Sequence, residues 1–299
     1  LFQAVLGVPK YSAIVVNEQS GKVFFARSAD NPKHPGAFNQ LMGIYVLFGE
    51  LANGRLSLET IIPVYDEENK ELITKIKVED AIILITTGNS INNITTALAT
   101  FVSGSEQNFV EKMTVQAKKL GMSKSFFIDA SGKKKLRQST SARDIARLAI
   151  ALRRDYPEHS HYLKIKEFNN NGEKLTNVNR LIRIYSGTNG VFTNENKESG
   201  YSQVVFADRR GIPLVGVVFG GSTSSLSDVH MMEILQYSFD STFSGQDTQV
   251  PLITITQSGT DQRKGTIRGF ARDNVQVAEV LVDGVAVNVG SDGSFEWSG

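Results

Sequence analysis

Cysteine is absent from the 299 residues, which removes disulfides, thiol catalysis and thiolate metal sites from consideration. Histidine is scarce: the four residues His34, His159, His161 and His230 show no metal-ligand spacing with a carboxylate. His159 and His161 are two apart, and on a helix they would point to different faces. No metal or other cofactor is therefore expected. No hydrophobic run reaches the ~20 residues that span a bilayer, so no transmembrane segment is expected. The first residues, LFQAVLGVPKYSAIVV, lack the basic start and cleavage site of a secretory signal, so any export signal is expected to have been removed already. Excess charge is lacking as well. Lys+Arg (32) nearly balances Asp+Glu (31), which gives no reason to expect a nucleic-acid partner. The densest basic run, Lys133-Lys134-Lys135-Leu136-Arg137, reads as a solvated loop in preference to a polyanion contact.

What remains is an ordinary globular composition with length for one large domain and a small one. YSAIVVNEQSGKVFFARSADN reads as two strands joined by the loop Asn17 to Gly21. In HPGAFNQLMGIYVLFGELANG the apolar spacing predicts a buried helix from about Ala37 to Asn53, with Asn53-Gly54 as its stop. VEDAIILITTGNS predicts a short apolar helix ending at Gly88-Asn89, and INNITTALATFVSGS another. SEQNFVEKMTVQAKKLGM is amphipathic, with Ser105 as N-cap and Gly121 as its end. TSARDIARLAIALRRDYPEHSHYL predicts a further long helix capped by Thr140 or Ser141.

Strands then return in KEFNNNGEKLTNVNRLIRIY, GVFTN and the hairpin QVVFADRRGIPLVGVVFG, which turns at Asp208 to Gly211. A closing helix is expected in SLSDVHMMEILQYSFDSTF. Strands at both ends of a helical middle imply an α+β fold, with an antiparallel sheet assembled from the two chain ends and helices on its faces. The composition changes at SGQDTQV, dividing the chain into residues 1–245 and 246–299. The second part reads as four short strands, PLITITQ, GTIRGFAR, VAEVLVDG and VAVNVGSDGSFEWS, with turns at Asp283-Gly284 and Asp292-Gly293. Four strands in so few residues bury little surface, so this module either continues beyond Gly299 or packs on its neighbour.

Four stretches point further: SAIVVNEQSGKVFFARSADNPKHPGAFNQLM, VSGSEQNFVEKMTVQAKKLGMSKSFFIDASG, STSARDIARLAIALRRDYPE and GTNGVFTNENKESGY. Together they make residues 11–244 resemble the serine D-alanyl-D-alanine carboxypeptidases, the low-molecular-weight penicillin-binding proteins that trim peptidoglycan stem peptides. The resemblance implies a β-lactamase/transpeptidase-like domain and an exported protein, periplasmic or at the cell surface. It also implies a peptidoglycan stem peptide or an envelope protein as partner. The tail resembles bacterial immunoglobulin-like modules, whole or partial, and differs from the usual β-domain of these enzymes.

That family works through three motifs. The first is Ser-x-x-Lys at the start of a helix, where the spacing of three places nucleophile and base on one face near the helix N-terminus. The matching positions here are Ala37 and Gln40. Alanine has no nucleophilic atom, and a glutamine amide accepts no proton at ordinary pH. The second motif, Ser-x-Asn, is matched by Thr87-Gly88-Asn89, which keeps a hydroxyl and an amide. The third, Lys-Thr-Gly on an edge strand, is matched by Phe192-Thr193-Asn194. Phe192 removes the positive charge and Asn194 adds bulk where glycine permits close approach. Glu195 follows, with its N–H at the place of the second oxyanion donor and its carboxylate ready to repel an anionic substrate terminus if it turns inward.

Losing the nucleophile or the base of another serine hydrolase costs about 10⁶ in kcat, so Ala37, Gln40, Phe192 and Asn194 together read as an inherited inactive site. Thr87, Asn89 and Thr193 are left as ligand-binding candidates. For Thr87 and Asn89 the competing reading is helix-end hydrogen bonding. For Phe192 it is a strand residue filling the vacated cleft, and for Phe38, Leu41, Met42, Tyr45 and Val46 it is plain packing. The chain's own Ser-x-x-Lys match, Ser131 to Lys134, lies in a glycine- and lysine-rich loop and reads as chance, and no Gly-x-Ser-x-Gly elbow occurs. The expectation is a catalytically inactive homologue that acts as an envelope binding or scaffolding protein. The alternatives are an active carboxypeptidase or related hydrolase with displaced catalytic residues, and a purely structural domain.

Overall fold

The computed structural model describes residues 11–66, 70–90, 92–133, 137–170, 172–196, 200–243, 252–261, 264–272, 280–282, 285–290 and 293–298. Its centre is a five-stranded antiparallel sheet that joins the first strands of the chain to later ones. β1 (Ser12–Asn17) and β2 (Val23–Arg27) pair with each other, and β7 (Thr188–Asn196), β8 (Gly200–Arg209) and β9 (Ile212–Gly221) complete the order β2-β1-β9-β8-β7. Asn17 forms the first turn, its Oδ1 accepting from the N–H groups of Gln19 and Ser20, and Gly21 takes the positive φ that this turn needs. The second hairpin turns at Arg210-Gly211 as expected, with the Gly211 N–H donating to Asp208 Oδ1.

Both faces of this sheet are covered, so the strands read as continuous apolar runs whose alternate side chains enter different cores. Ile14, Val16, Phe192, Val204, Phe206, Val215 and Val217 face a large core shared with the helices of the chain's middle. Ala13, Val15, Val191, Val205, Leu214 and Val218 face a second core under the closing helix. The architecture is the expected α+β arrangement in three layers.

The helical layer is built around α1 (Phe38–Ala52), which is apolar on almost every side and buried from Phe38 to Phe48, as a helix at the centre of a domain must be. α2 (Val78–Thr86), α3 (Asn92–Ser103), α4 (Glu106–Lys119) and α5 (Ala142–Asp155) surround it. Ser105 caps α4 by accepting the Asn108 N–H, and Ser141, not Thr140, caps α5 by accepting the Asp144 N–H. Thr140 instead shares its hydroxyl with Ser125.

Two expectations for this part of the chain are corrected. The long helix drawn through TSARDIARLAIALRRDYPEHSHYL stops at Asp155, because Pro157 has no N–H to continue it, and Pro157–Lys164 forms a 3-10 segment. KEFNNNGEKLTNVNRLIRIY is not all strand. It holds a hairpin, β5 (Glu167–Asn170) with β6 (Glu173–Thr176), followed by one helical turn, α6 (Leu181–Ile184). Asn177 and Asn179 start that turn by accepting the N–H groups of Asn179 and Leu181 with their side-chain oxygens, which diverts the chain from an extended path. A further hairpin, β3 (Ile61–Tyr65) with β4 (Leu72–Lys77), precedes α2, where no strand was expected.

α7 (Ser224–Phe243) lies on the outer sheet face, its Met231, Ile234, Leu235 and Phe239 buried there. Among the described residues the tail has five strands where four short ones were expected. β10 (Leu252–Asp261), β11 (Lys264–Arg272) and β14 (Ser294–Ser298) form one sheet, and β12 (Val280–Val282) with β13 (Val285–Val287) form a ribbon. The turn at Asp283-Gly284 and residue Asp292 lie outside the described residues. The tail's own core consists of Ala271, Val280 and Phe295. It leans on α7 through Leu252 and through the Arg272–Glu233 ion pair at 3.0 Å.

Candidate active site

The entrance of α1 is shaped by a short run of tight bonds. Gly36 N–H donates to His34 Nδ1, and the N–H groups of Phe38, Asn39 and Gln40 donate to the carbonyls of Pro35, Gly36 and Ala37. These bonds span three residues each, so the helix begins as a 3-10 turn. Ala37 occupies the N-cap position and supplies no side-chain bond. Asn39 is fully buried and ties the entrance to a loop, its Nδ2 donating to the Asp129 carbonyl at 2.7 Å and to Gln138 Oε1 at 2.5 Å. Gln138 Nε2 in turn donates to Asp129 Oδ2 at 2.6 Å. The other carboxylate oxygen of Asp129 accepts from Ser131 Oγ and from the N–H groups of Gly132 and Lys133.

Gly132, at φ +82, is the point of contact between this loop and the helix. A Cβ there would overlap the Gly36 carbonyl oxygen, so only glycine fits. The hydroxyl of Ser131 is thus engaged by Asp129, and Lys134, the other half of that short motif, lies outside the described residues. Gln40 is 7% exposed and its side chain makes no hydrogen bond to a described residue. Four residues before Ala37, burial pulls the Lys33 ammonium below the usual lysine range.

Phe192 adjoins this entrance. It is 1% exposed, and its ring centroid lies 6.3 Å from that of Phe38, which itself meets Phe219 edge-on at 4.9 Å. Ala37 and Phe192 are therefore brought to neighbouring places in the fold, joined through Phe38. Asn194 and Glu195 sit in β7 opposite Ser202 and Tyr201; their side chains lie outside the described residues, so the reading of the Glu195 carboxylate lies there too.

Thr193 is separated from Phe192 by strand alternation. It faces the outer side of the sheet and lines a pocket of about 170 Å³ together with Asn179, Arg180, Gln203 and Asp228. Its Oγ1 is buried without a hydrogen-bond partner. Around it runs a chain of bonds: Asn179 Nδ2 to Gln203 Oε1, Gln203 Nε2 to Ser227 Oγ and Asp228 Oδ1, and Arg180 Nε to Asp228 Oδ2 at 2.5 Å. Burial raises the Asp228 pKa despite the neighbouring guanidinium. No motif in the sequence marked this cluster, since its members come from the turn before α6, from β8 and from α7.

Thr87 and Asn89 stand at the end of α2, a helix that packs against both α1 and β7. Their polar atoms are already engaged. Thr87 Oγ1 donates back to the Ile83 carbonyl at 2.7 Å. Asn89 Nδ2 reaches Thr87 Oγ1 at 3.1 Å and the Thr176 carbonyl at 3.0 Å. The Val178 N–H donates to the Thr87 carbonyl at 2.9 Å, and Val178 lies over Gly88, which has φ +77. The segment after β6 thus fastens the end of α2. Thr193 does not join Thr87 and Asn89 in a single pocket; Asn89 instead opens onto a groove of about 500 Å³ bounded by β4, α2 and the β5–β6 hairpin. Among the described residues, no group of three or more His, Asp or Glu side chains could hold a metal ion, and no helix is long and apolar enough to cross a membrane.

A family model for D-alanyl-D-alanine carboxypeptidase matches residues 6–223. The D-alanyl-D-alanine carboxypeptidase DacF of Bacillus subtilis is 26% identical over 245 residues, covering 76% of this chain and 61% of that protein. DacC of Escherichia coli, of the same description, is 28% identical over 243 residues, covering 76% of this chain and 60% of that protein. The chain thus spans about three fifths of the length of the curated relatives it matches. Among solved structures, penicillin-binding protein 5 from Haemophilus influenzae has a TM-score of 0.71 at 23% identity, covering 86% of this chain and 79% of that one. The carboxypeptidase DacD from Francisella tularensis has a TM-score of 0.69 at 19% identity, covering 89% of this chain and 80% of that one. At such identities the likeness speaks for the fold. A share of 89% is more than residues 1–245 can supply, so the likeness takes in part of the tail.

Proposed function

The chain belongs to the D-alanyl-D-alanine carboxypeptidase family, and from that premise we propose that this member does not hydrolyse peptides and serves as an exported envelope protein that holds a peptidoglycan stem peptide or a protein partner. The observation that carries this reading is the entrance of α1. Ala37 stands at its N-cap with no nucleophilic atom, and Gln40 one turn on has no basic one. An acyl-enzyme needs a side-chain oxygen, sulfur or nitrogen to form, and a preorganised cleft alone leaves only a small residue of the rate.

Phe192 supports the same reading. A lysine at that place would present an ammonium to a substrate carboxylate, whereas Phe192 is a buried ring packed on Phe38. The polar groups kept at Thr87 and Asn89 hold the end of α2 to the Thr176–Val178 segment, which favours a structural role over a proton-shuttling one. For ligand binding, Thr193 is the better placed of the three candidates, because its hydroxyl is unpartnered and lines a pocket.

The rival reading is an active hydrolase with displaced residues, and Ser131 is its natural nucleophile because its loop is pressed against the α1 entrance. Incubation of the native chain with a fluorescent penicillin separates the two. No covalent label is expected on the gel. A label that survives denaturing electrophoresis, is absent when the protein is denatured beforehand and disappears in Ser131→Ala would overturn the proposal and identify the nucleophile.

A further inference from the structure

The β3–β4 hairpin carries a strand edge that no other strand of the described residues covers, and the groove beside α2 opens along it. The register shows which backbone groups lie there. Val78 N–H donates to the Thr60 carbonyl, which makes that pair a hydrogen-bonded one. Antiparallel pairs alternate, so Lys77 with Ile61 is non-bonded, Ile76 with Ile62 is bonded, and Lys75 with Pro63 is non-bonded. Pro63, which has no N–H, sits where none is required. It follows that the N–H and C=O of Lys75 and the N–H of Lys77 point away from β3. The N–H groups have no partner among the described residues, and the Lys75 carbonyl receives only a 3.4 Å contact from its neighbour Thr74.

Consecutive residues Thr74, Lys75, Ile76 and Lys77 all line the groove, as a strand approached along its edge would, and Ile61 of β3 and Asp80 of α2 border its end. On one side of the β4 edge, Ile76 packs toward the core beside Leu84, Ile94 and Leu175, which give the groove an apolar floor. On the other side stand two ammonium groups. Lys77 is paired with Glu59 at 2.9 Å, but Lys75 is exposed and forms no ion pair with a described residue.

We propose that this groove binds an extended peptide as a third strand on β4, with apolar side chains turned to the Leu84–Ile94 floor and acidic side chains turned to Lys75. Main-chain pairing supplies the affinity in such strand addition, and the alternating pockets supply the selectivity. The site is bounded by β4, α2 and the β5–β6 hairpin, none of whose groove-lining residues belongs to β7, and it stands whether or not the α1 entrance is inert.

The test uses the whole chain and a fluorescein-labelled hexapeptide of alternating valine and glutamate, followed by fluorescence anisotropy at low salt. Saturable binding is expected. N-methylation of alternate amides along one edge of the peptide should weaken it about fivefold by removing a backbone bond, while the same change on the other edge leaves it unaltered. Lys75→Glu, at an exposed position that should not disturb folding, should weaken the glutamate peptide about fivefold and favour a valine–lysine peptide. The proposal is overturned if no saturable binding is seen, if both N-methylated peptides bind alike, or if Lys75→Glu changes neither preference. It is also overturned if the chain dimerises through β4 and the dimer excludes the peptide.

Discussion

The entrance of α1 and the end of α2 are two polar regions of the helical layer, and they differ in what their polar atoms have left to give. At the end of α2, Thr87 and Asn89 bond to each other and to the carbonyls of Ile83 and Thr176, so their hydrogen-bonding groups serve the helix end and the strap across it. At the α1 entrance, Asn39, Gln138 and Ser131 converge on Asp129 and pin a loop to the helix, yet Asn39 Oδ1 is left buried without a partner and Gln40 makes no side-chain bond. The residue types that look chemically equipped are therefore occupied. Spare capacity lies beside the position that has no nucleophile.

The largest effect on this comparison is expected from Phe192, the ring packed beside the α1 entrance. Phe192→Ala should lower the unfolding free energy by about 3–5 kcal/mol, since the ring is buried against Phe38 and its neighbours close in only partly. Urea denaturation would show it, and a loss below 1 kcal/mol would mean that the ring is not packed against Phe38 as tightly as its burial implies.

Next in size is the loop clamp. Asp129→Ala leaves the Ser131 hydroxyl, the Gly132 and Lys133 N–H groups and the Gln138 amide without their acceptor, so a loss of about 3 kcal/mol is expected. Asn89→Ala should cost only about 1 kcal/mol, because it removes neutral bonds near the surface of the fold. If the two variants lose equal stability in parallel melts, the contrast between a clamp and a strap fails.

The smallest effect lies at the far end of α1. Glu50 is held below the ordinary glutamate value of 4.5, first by its hydrogen bond from Arg55 and also by Lys112. A lowered carboxylate pKa contributes stability above the unfolded-state value, and that contribution is lost as the pH falls through the folded-state value. Unfolding midpoints compared at pH 6 and pH 3 should fall less steeply in Glu50→Gln than in the parent. An unchanged slope would remove Glu50 from the account of α1.

Much of this was legible in the sequence because it is local. The apolar spacing of α1, the serine caps of α4 and α5 and the Asp208–Gly211 turn depend on residues within a few positions of one another, and each stands where it was expected. What escaped depends on distance or on a single breaking residue. Pro157 ends α5 where periodicity alone continues it, and Asn177 with Asn179 bends the chain into α6 where strand residues follow strand residues. The Asp129 clamp joins positions ninety residues from Asn39, and the cluster around Thr193 gathers residues from three separate elements. Neither has a spacing that a motif could express.

The sequence by itself determined the family, the helical middle between strands, and the absence of a nucleophile and a base at Ala37 and Gln40, because these follow from residue identity and local periodicity. Only the tertiary structure decided what became of the polar groups that remain. It turned Phe192 into the core and Thr193 to the opposite sheet face, bound Thr87 and Asn89 to backbone carbonyls, and left the edge of β4 uncovered. Hydrogen-bond partners and buried neighbours are set by the meeting of distant segments, and no single stretch of chain contains that information.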